Sequence, residues 1–355
     1  RAAVAVFLPF VTEVWQVYVL IFVLQSASAA FTPAFQATIP EVLPDEKDYT
    51  RALSLSRLAY DLESLISPAL AAALLTVISF HSLFAGTVIG FLVSSALVVS
   101  VVLPAPSKTE RRSIYERTTR GLRLYLATPR LRGLLAICLA VSAAGSMVIV
   151  NTVVIVQSTF GLTQESTALA LAAFGGGSML AALFLPKLLD TVPDRPVMLA
   201  GAAILIAGLL AASAVGSIRT LLPLWCLLGI GYSIAQTPSG RLLRRSAHAE
   251  DRPALFAAHF ALSHAAWLIT YPLAGWLGAT IGLSAAVLCL ALLATSGLAA
   301  AMVLWPSDDN AEIEHDHDDL PANHLHLAEG ARRGGHRHTH AVVIDRLHPE
   351  WPSRP

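Results

Sequence analysis

The sequence predicts an all-α protein that crosses a membrane many times, and three observations carry that reading. Of its 355 residues, 55% are hydrophobic and 14% are charged, whereas soluble domains carry about 25% charged residues. The mean hydropathy is +0.63, and the apolar residues run in unbroken blocks of roughly 20, the length a bilayer core demands of one helix. Lysine and arginine gather on one side of the successive crossings, as they do in cytoplasmic loops. The short alternating segments of a membrane barrel do not occur.

Taken in order, residues 1–12 read as the remainder of a helix. They begin at Arg1 and show no signal-peptide pattern, so we expect an N-terminally incomplete chain with nine full spans and one partial one. The full spans fall at 14–38, 52–78, 83–103, 133–158, 165–186, 196–216, 220–240, 253–279 and 283–305. Residues 1–103 then form an incomplete first bundle, 104–132 a central loop, 133–306 a six-helix second bundle, and 307–355 a tail expected to be disordered. Within the central loop, Ile114, Tyr115, Leu122, Tyr125 and Leu126 interleave with Arg117, Arg120 and Arg123. That pattern suits an amphipathic helix at the membrane surface, and a solvated linker with some helix is the alternative.

Charge gives the orientation. One side of the crossings holds 21 of the 24 lysines and arginines, the opposite side Arg219 alone, and Arg1 and Arg57 complete the set. The rich side, with the central loop and the tail, is therefore expected in the cytoplasm. Cys138, Cys226 and Cys289 each stand alone in apolar sequence, which argues against a disulfide framework or a cysteine zinc site.

The two sides of the central loop also repeat. Thr32-Pro33 is followed 35 residues later by Pro68, and Thr237-Pro238 is followed 34 residues later by Pro272. Each proline pair brackets a charged turn that leads into a long helix, Asp48-Tyr49-Thr50-Arg51 in one half and Asp251-Arg252-Pro253 in the other. Six crossings separate the copies, so they share one orientation, as in transporters built from parallel repeats. The run from Phe31 to Pro44 resembles the end of the fourth helix of bacterial drug-efflux-like major facilitator transporters. Arg51 to Ala71 is similar to their fifth helix, and Pro186-Lys187-Leu188-Leu189-Asp190 with Asp194-Arg195 resembles their loop between helices eight and nine. The resemblance covers about residues 1–305 and implies a fold of two six-helix halves, the first incomplete. Ser67, Ala71, Ala72 and Phe35 depart from the family pattern, so the implied antiport direction is less specific than the implied fold.

Ionisable groups inside a span are costly and mark candidate functional positions. Arg57 and Asp61 are four residues apart and share a helix face; Glu63 points elsewhere and is the deeper proton-uptake candidate. A structural ion pair is the alternative for Arg57–Asp61. His259 and His264, five apart on the matching helix of the second half, are further proton or substrate candidates, or buried histidines bonded to backbone. Asn151, Gln157, Tyr232 and Gln236 are polar groups in apolar spans, and Asn151 and Gln236 are the ones we expect to line a cavity. The tail holds eight of the twelve histidines, including His315, His317, His324, His326, His336, His338 and His340. Imidazoles suit divalent transition metals, so the tail is a candidate metal site or else a solvated extension.

These features lead us to expect a monomeric secondary transporter in a bacterial inner membrane, with lipid, protons and a small-molecule substrate as partners and no nucleic acid. Proton-coupled efflux is the first reading, metal export the second, and a non-transporting scaffold the third. No nucleophile–base constellation or phosphate-cradling glycine loop appears in the sequence, so neither an enzyme nor an ATP-driven pump is expected, and no cofactor beyond a possible tail metal.

Overall fold

Local chemistry fixes where the long helices begin. Asp45 accepts hydrogen bonds from the Lys47 and Asp48 amides, and Ser79 accepts one from Ser82, filling orphan donors at helix starts. Pro129 and Pro253 occupy first turns, where a missing N–H costs nothing. Gly161 (φ 66°) and Gly282 (φ 104°) adopt left-handed backbone that side chains resist, and so allow tight connections. The computed structural model describes residues 1–101, 114–307, 313–316, 331–334, 337–340, 342–345, 347–348 and 351.

Among these residues the order is α1 (Ala2–Ala5), a 3-10 turn (Leu8–Phe10), α2 (Val14–Val42), α3 (Glu46–Leu75), α4 (Phe80–Ser100) and α5 (Ile114–Ala127). The second half follows with α6 (Pro129–Val153), its π-helical continuation Val154–Thr159, α7 (Gln164–Leu189) and α8 (Asp194–Ala212). It continues with α9 (Ile218–Gln236), α10 (Ser239–Arg245), α11 (Arg252–Thr280) and α12 (Leu283–Leu304). Nine long helices among the described residues overlap the nine ranges expected to span. Among the described residues eight helical stretches are long and apolar enough to cross a membrane, and α3, which carries Arg57, Asp61 and Glu63, is the expected span not among them.

Three differences from expectation have physical reasons. Residues 1–12 form one α-turn and a separate 3-10 turn at Pro9, because proline cannot continue the preceding hydrogen-bond ladder. The repeat prolines also behave unequally. Pro33 rides inside α2, whereas Pro238 separates α9 from α10. The tail, expected to be disordered, holds three short strands among its described residues: β1 (Ile313–Asp316), β2 (Ala331–Gly334) and β3 (Arg337–His340). They pair antiparallel in the order β1-β3-β2, so ladder hydrogen bonds satisfy backbone that the composition alone leaves free.

Most of the core lies in the second half, where α6 is buried along most of its length, while no residue of α4 is buried. Helices α7 and α9 approach to backbone contact: a Cβ on Gly177 would stand 1.9 Å from the Cys226 carbonyl oxygen, and one on Gly229 1.8 Å from that of Phe174. Small residues let membrane helices pack in this way. Helix α5 is docked through Leu124 and Tyr125, both buried. Its Gly121 lies against the Ala254 backbone at the start of α11.

Candidate functional site

Helix α3 of the first half packs along α7 of the second, and its central charges lie at that junction. The Arg57 guanidinium holds Asp61 through two contacts, Nη2 to Oδ1 at 2.7 Å and Nε to Oδ2 at 3.2 Å. Nε also donates to Ser178 Oγ of α7 at 3.2 Å. The guanidinium carbon stands 4.5 Å from the Tyr232 ring of α9 and 5.4 Å from that of Tyr60, within cation–π range. Arg57 and Asp61 side chains are only 14% and 5% exposed. One pair therefore has partners from both halves, and in a low-dielectric setting such a pair is costly to break by removing one member.

Around this pair lies a run of rings. Tyr232 meets Phe174 edge-on at 5.5 Å and Trp267 at 6.4 Å, and Trp267 meets Tyr271 at 5.0 Å. Phe174, Trp267 and Tyr271 escaped the sequence reading, because aromatic residues in apolar spans carry no periodic mark of their own. Ser178 had a signal, the small-residue run Gly175-Gly176-Gly177-Ser178, which sequence reasoning passed over.

The other candidates disperse. Glu63 is exposed. Asn151 is buried and donates to the Ala274 carbonyl of α11 at 3.2 Å, in space that Gly278 leaves open, so it joins α6 to α11. Gln157 donates to Thr167 Oγ1 at 3.1 Å, and Gln236 is half-buried at the end of α9. His259 is buried, with Nδ1 3.0 Å from the Tyr125 hydroxyl. His264 is exposed, with Nδ1 2.7 Å from the Phe260 carbonyl. In the tail, strand register sets His315 opposite His338 and Ile313 opposite His340. His317, His324, His326 and His336 lie outside the described residues.

A second cluster forms a clasp at the arginine-rich face. From α10 and the start of α11, Arg241 reaches Glu46 at 2.6 Å and donates to Thr50 Oγ1 at 3.1 Å. Arg244 donates to the Pro44 carbonyl, and Arg252 pairs with Glu41. Toward the second half, Arg245 pairs with Asp194, whose other oxygen lies 3.2 Å from Arg241 Nε as an ion pair without hydrogen-bond alignment. Arg120 of α5 clamps Asp251 through two bonds of 2.5 Å. Tyr49 lies buried under Arg244, and burial pushes its phenol up despite the neighbouring Arg244 and Arg252. In the sequence Arg241, Arg244 and Arg245 served only to orient the chain, while Arg252 marked the repeat turn and Arg120 the amphipathic pattern; their acidic partners, set in charged turns of both halves, were the available signal.

Two halves of long apolar helices, joined at an internal charge pair and gripped at one end by side-chain ion pairs, agree with what comparison shows. The profile of the Major Facilitator Superfamily matches residues 2–149 and 135–338. The chain belongs to this family. An uncharacterized MFS-type transporter of Bacillus subtilis, YfiS, is 27% identical over 190 residues, which is 51% of this chain and 45% of the relative. Macrolide efflux protein A of Enterococcus faecalis is 31% identical over 91 residues, 26% of this chain and 28% of the relative. Its Streptococcus pyogenes counterpart is equally similar over 22% of its own length. The chain spans less than half the length of these curated relatives. It is thus a multi-pass α-helical membrane protein of this family.

Proposed function

We propose that this chain serves proton-coupled efflux of small, amphiphilic molecules by alternating access, in a bacterial inner membrane with the arginine-rich face in the cytoplasm. The carrying observation is the Arg57–Asp61 pair, shared between α3, α7 and α9 at the junction of the halves. A proton on Asp61 would remove the charge that holds Arg57 and free the junction to shift. Asp61, buried and paired, serves this role better than exposed Glu63. The rings of Tyr232, Trp267 and Tyr271 beside the pair suit a flat apolar substrate, and the macrolide efflux relatives support the direction of transport. In this reading the clasp is the closed cytoplasmic gate.

A second reading, a divalent-metal site on the tail that serves export, is favoured by the register of His315 against His338. A susceptibility panel separates the two readings. Cells carrying or lacking the gene that encodes this chain are compared on macrolides, cationic dyes, nickel, cobalt and zinc. We expect deletion to sensitise cells to one or more of the organic compounds. Sensitivity confined to the metals would reverse the order of the readings, and none at all would reject both.

A further inference from the structure

We infer that the described C-terminal residues 342–345, 347–348 and 351 belong to an intramolecular strap that docks on the arginine-rich face of the second half and keeps the clasp shut. Its Val342 and Ile344 are 2% and 6% exposed, and Ile344 joins the apolar core of the second half. Arg130, buried in the first turn of α6, donates through Nη2 to the Val342 carbonyl at 3.0 Å. The same guanidinium lies 5.1 Å from the Trp351 ring. Arg130 thus meets both Val342 and Trp351.

Between those two residues Asp345 closes a turn. Its Oδ1 accepts from the Leu347 and His348 amides at 2.8 and 2.7 Å, and the His348 ring nitrogen Nδ1 lies 3.1 Å away. Its Oδ2 lies 3.2 Å from His248 Nε2. Burial opposes the charged carboxylate, but the bonds from His248 and His348 outweigh it and hold Asp345 well below the usual range. The turn is therefore built around an ionised carboxylate.

The place of the second contact gives the strap its consequence. His248 sits in the short loop between α10 and α11, whose carbonyl caps the Asp251 and Arg252 amides. Arg245 on one side of this loop grips Asp194, and Arg252 on the other grips Glu41 of the first half. Opening of the clasp needs this loop to move, and the docked strap ties it to α6 through a carboxylate and a buried arginine. A disordered tail would leave the apolar Val342, Ile344 and Trp351 in water, whereas docking removes them from it. The tail end therefore biases the gate toward its closed arrangement, independently of which substrate passes.

The test uses Ser54, buried on α3 one turn beyond Thr50, as a reporter beneath the clasp. Ser54→Cys is introduced into the full chain with Cys138, Cys226 and Cys289 replaced by alanine. Its alkylation by a membrane-impermeant maleimide is timed in inside-out vesicles. Asp345→Ala, and separately removal of residues 341–355, should raise the rate at least about five-fold, the effect of a modest coupling between sites. Unchanged rates in both variants, each extracted as a monodisperse species, would overturn the strap. A rate that rises in the truncation but not in Asp345→Ala would equally reject the carboxylate turn as the tether.

Discussion

At the residue scale the Arg57–Asp61 pair is the feature with the largest energetic stake. Its four-residue spacing was legible in the sequence, since i and i+4 share a face. Its partners Ser178 and Tyr232 lie more than 100 residues away on other helices, and no local pattern announces them. Arg57→Ala would leave Asp61 buried without its counter-charge and is expected to cost about 3–5 kcal/mol. The double variant Arg57→Met/Asp61→Leu removes both charges and should recover most of that loss. Thermal melting in detergent compares them, and a single variant no less stable than the double would contradict a buried, mutually dependent pair. Asn151 shows the opposite limit. A polar group in a span reads equally well as cavity lining or helix-to-helix bond, and only the position of the Ala274 carbonyl decides.

At the element scale the spans were readable because a bilayer imposes one length on every crossing. What prolines do within them was not readable. Pro33 and Pro40 stay inside α2, and Pro238 divides α9 from α10, because the outcome depends on what neighbouring elements offer the freed carbonyls. The amphipathic helix in the central loop was visible as interleaved arginines and apolar residues, yet its seat was not. That seat is the Arg120–Asp251 clamp and the contact of Gly121 with the Ala254 backbone. The α7–α9 contact yields a sharper expectation. Gly229→Ala would drive a methyl group to 1.8 Å from a backbone carbonyl oxygen, so the helices must separate. A loss of several degrees in melting temperature and lower membrane yield are expected, while Gly216→Ala, with open space at its Cβ, should behave as the parent does.

At the scale of the whole molecule, both the internal repeat and the charge asymmetry were present in the sequence, and together they gave two halves with one arginine-rich face. The join between the halves was hidden, because the sequence lists the arginines of α10 and the acids near α3 and α8 without saying that they meet. In the structure those charges close one end, the strap ties the closing loop down, and the Arg57–Asp61 pair sits at the junction between the halves. In the proposed alternating-access cycle the clasp serves as the gate and the Arg57–Asp61 pair as the place of proton uptake. The most direct measurement is transport in inside-out vesicles of the compound that the susceptibility panel identifies, with and without an imposed pH gradient, for the parent and Asp61→Asn. Loss of gradient-driven accumulation with retained exchange of substrate across the membrane is the expected result. Full gradient-driven accumulation by Asp61→Asn would contradict the assignment of the proton to this pair.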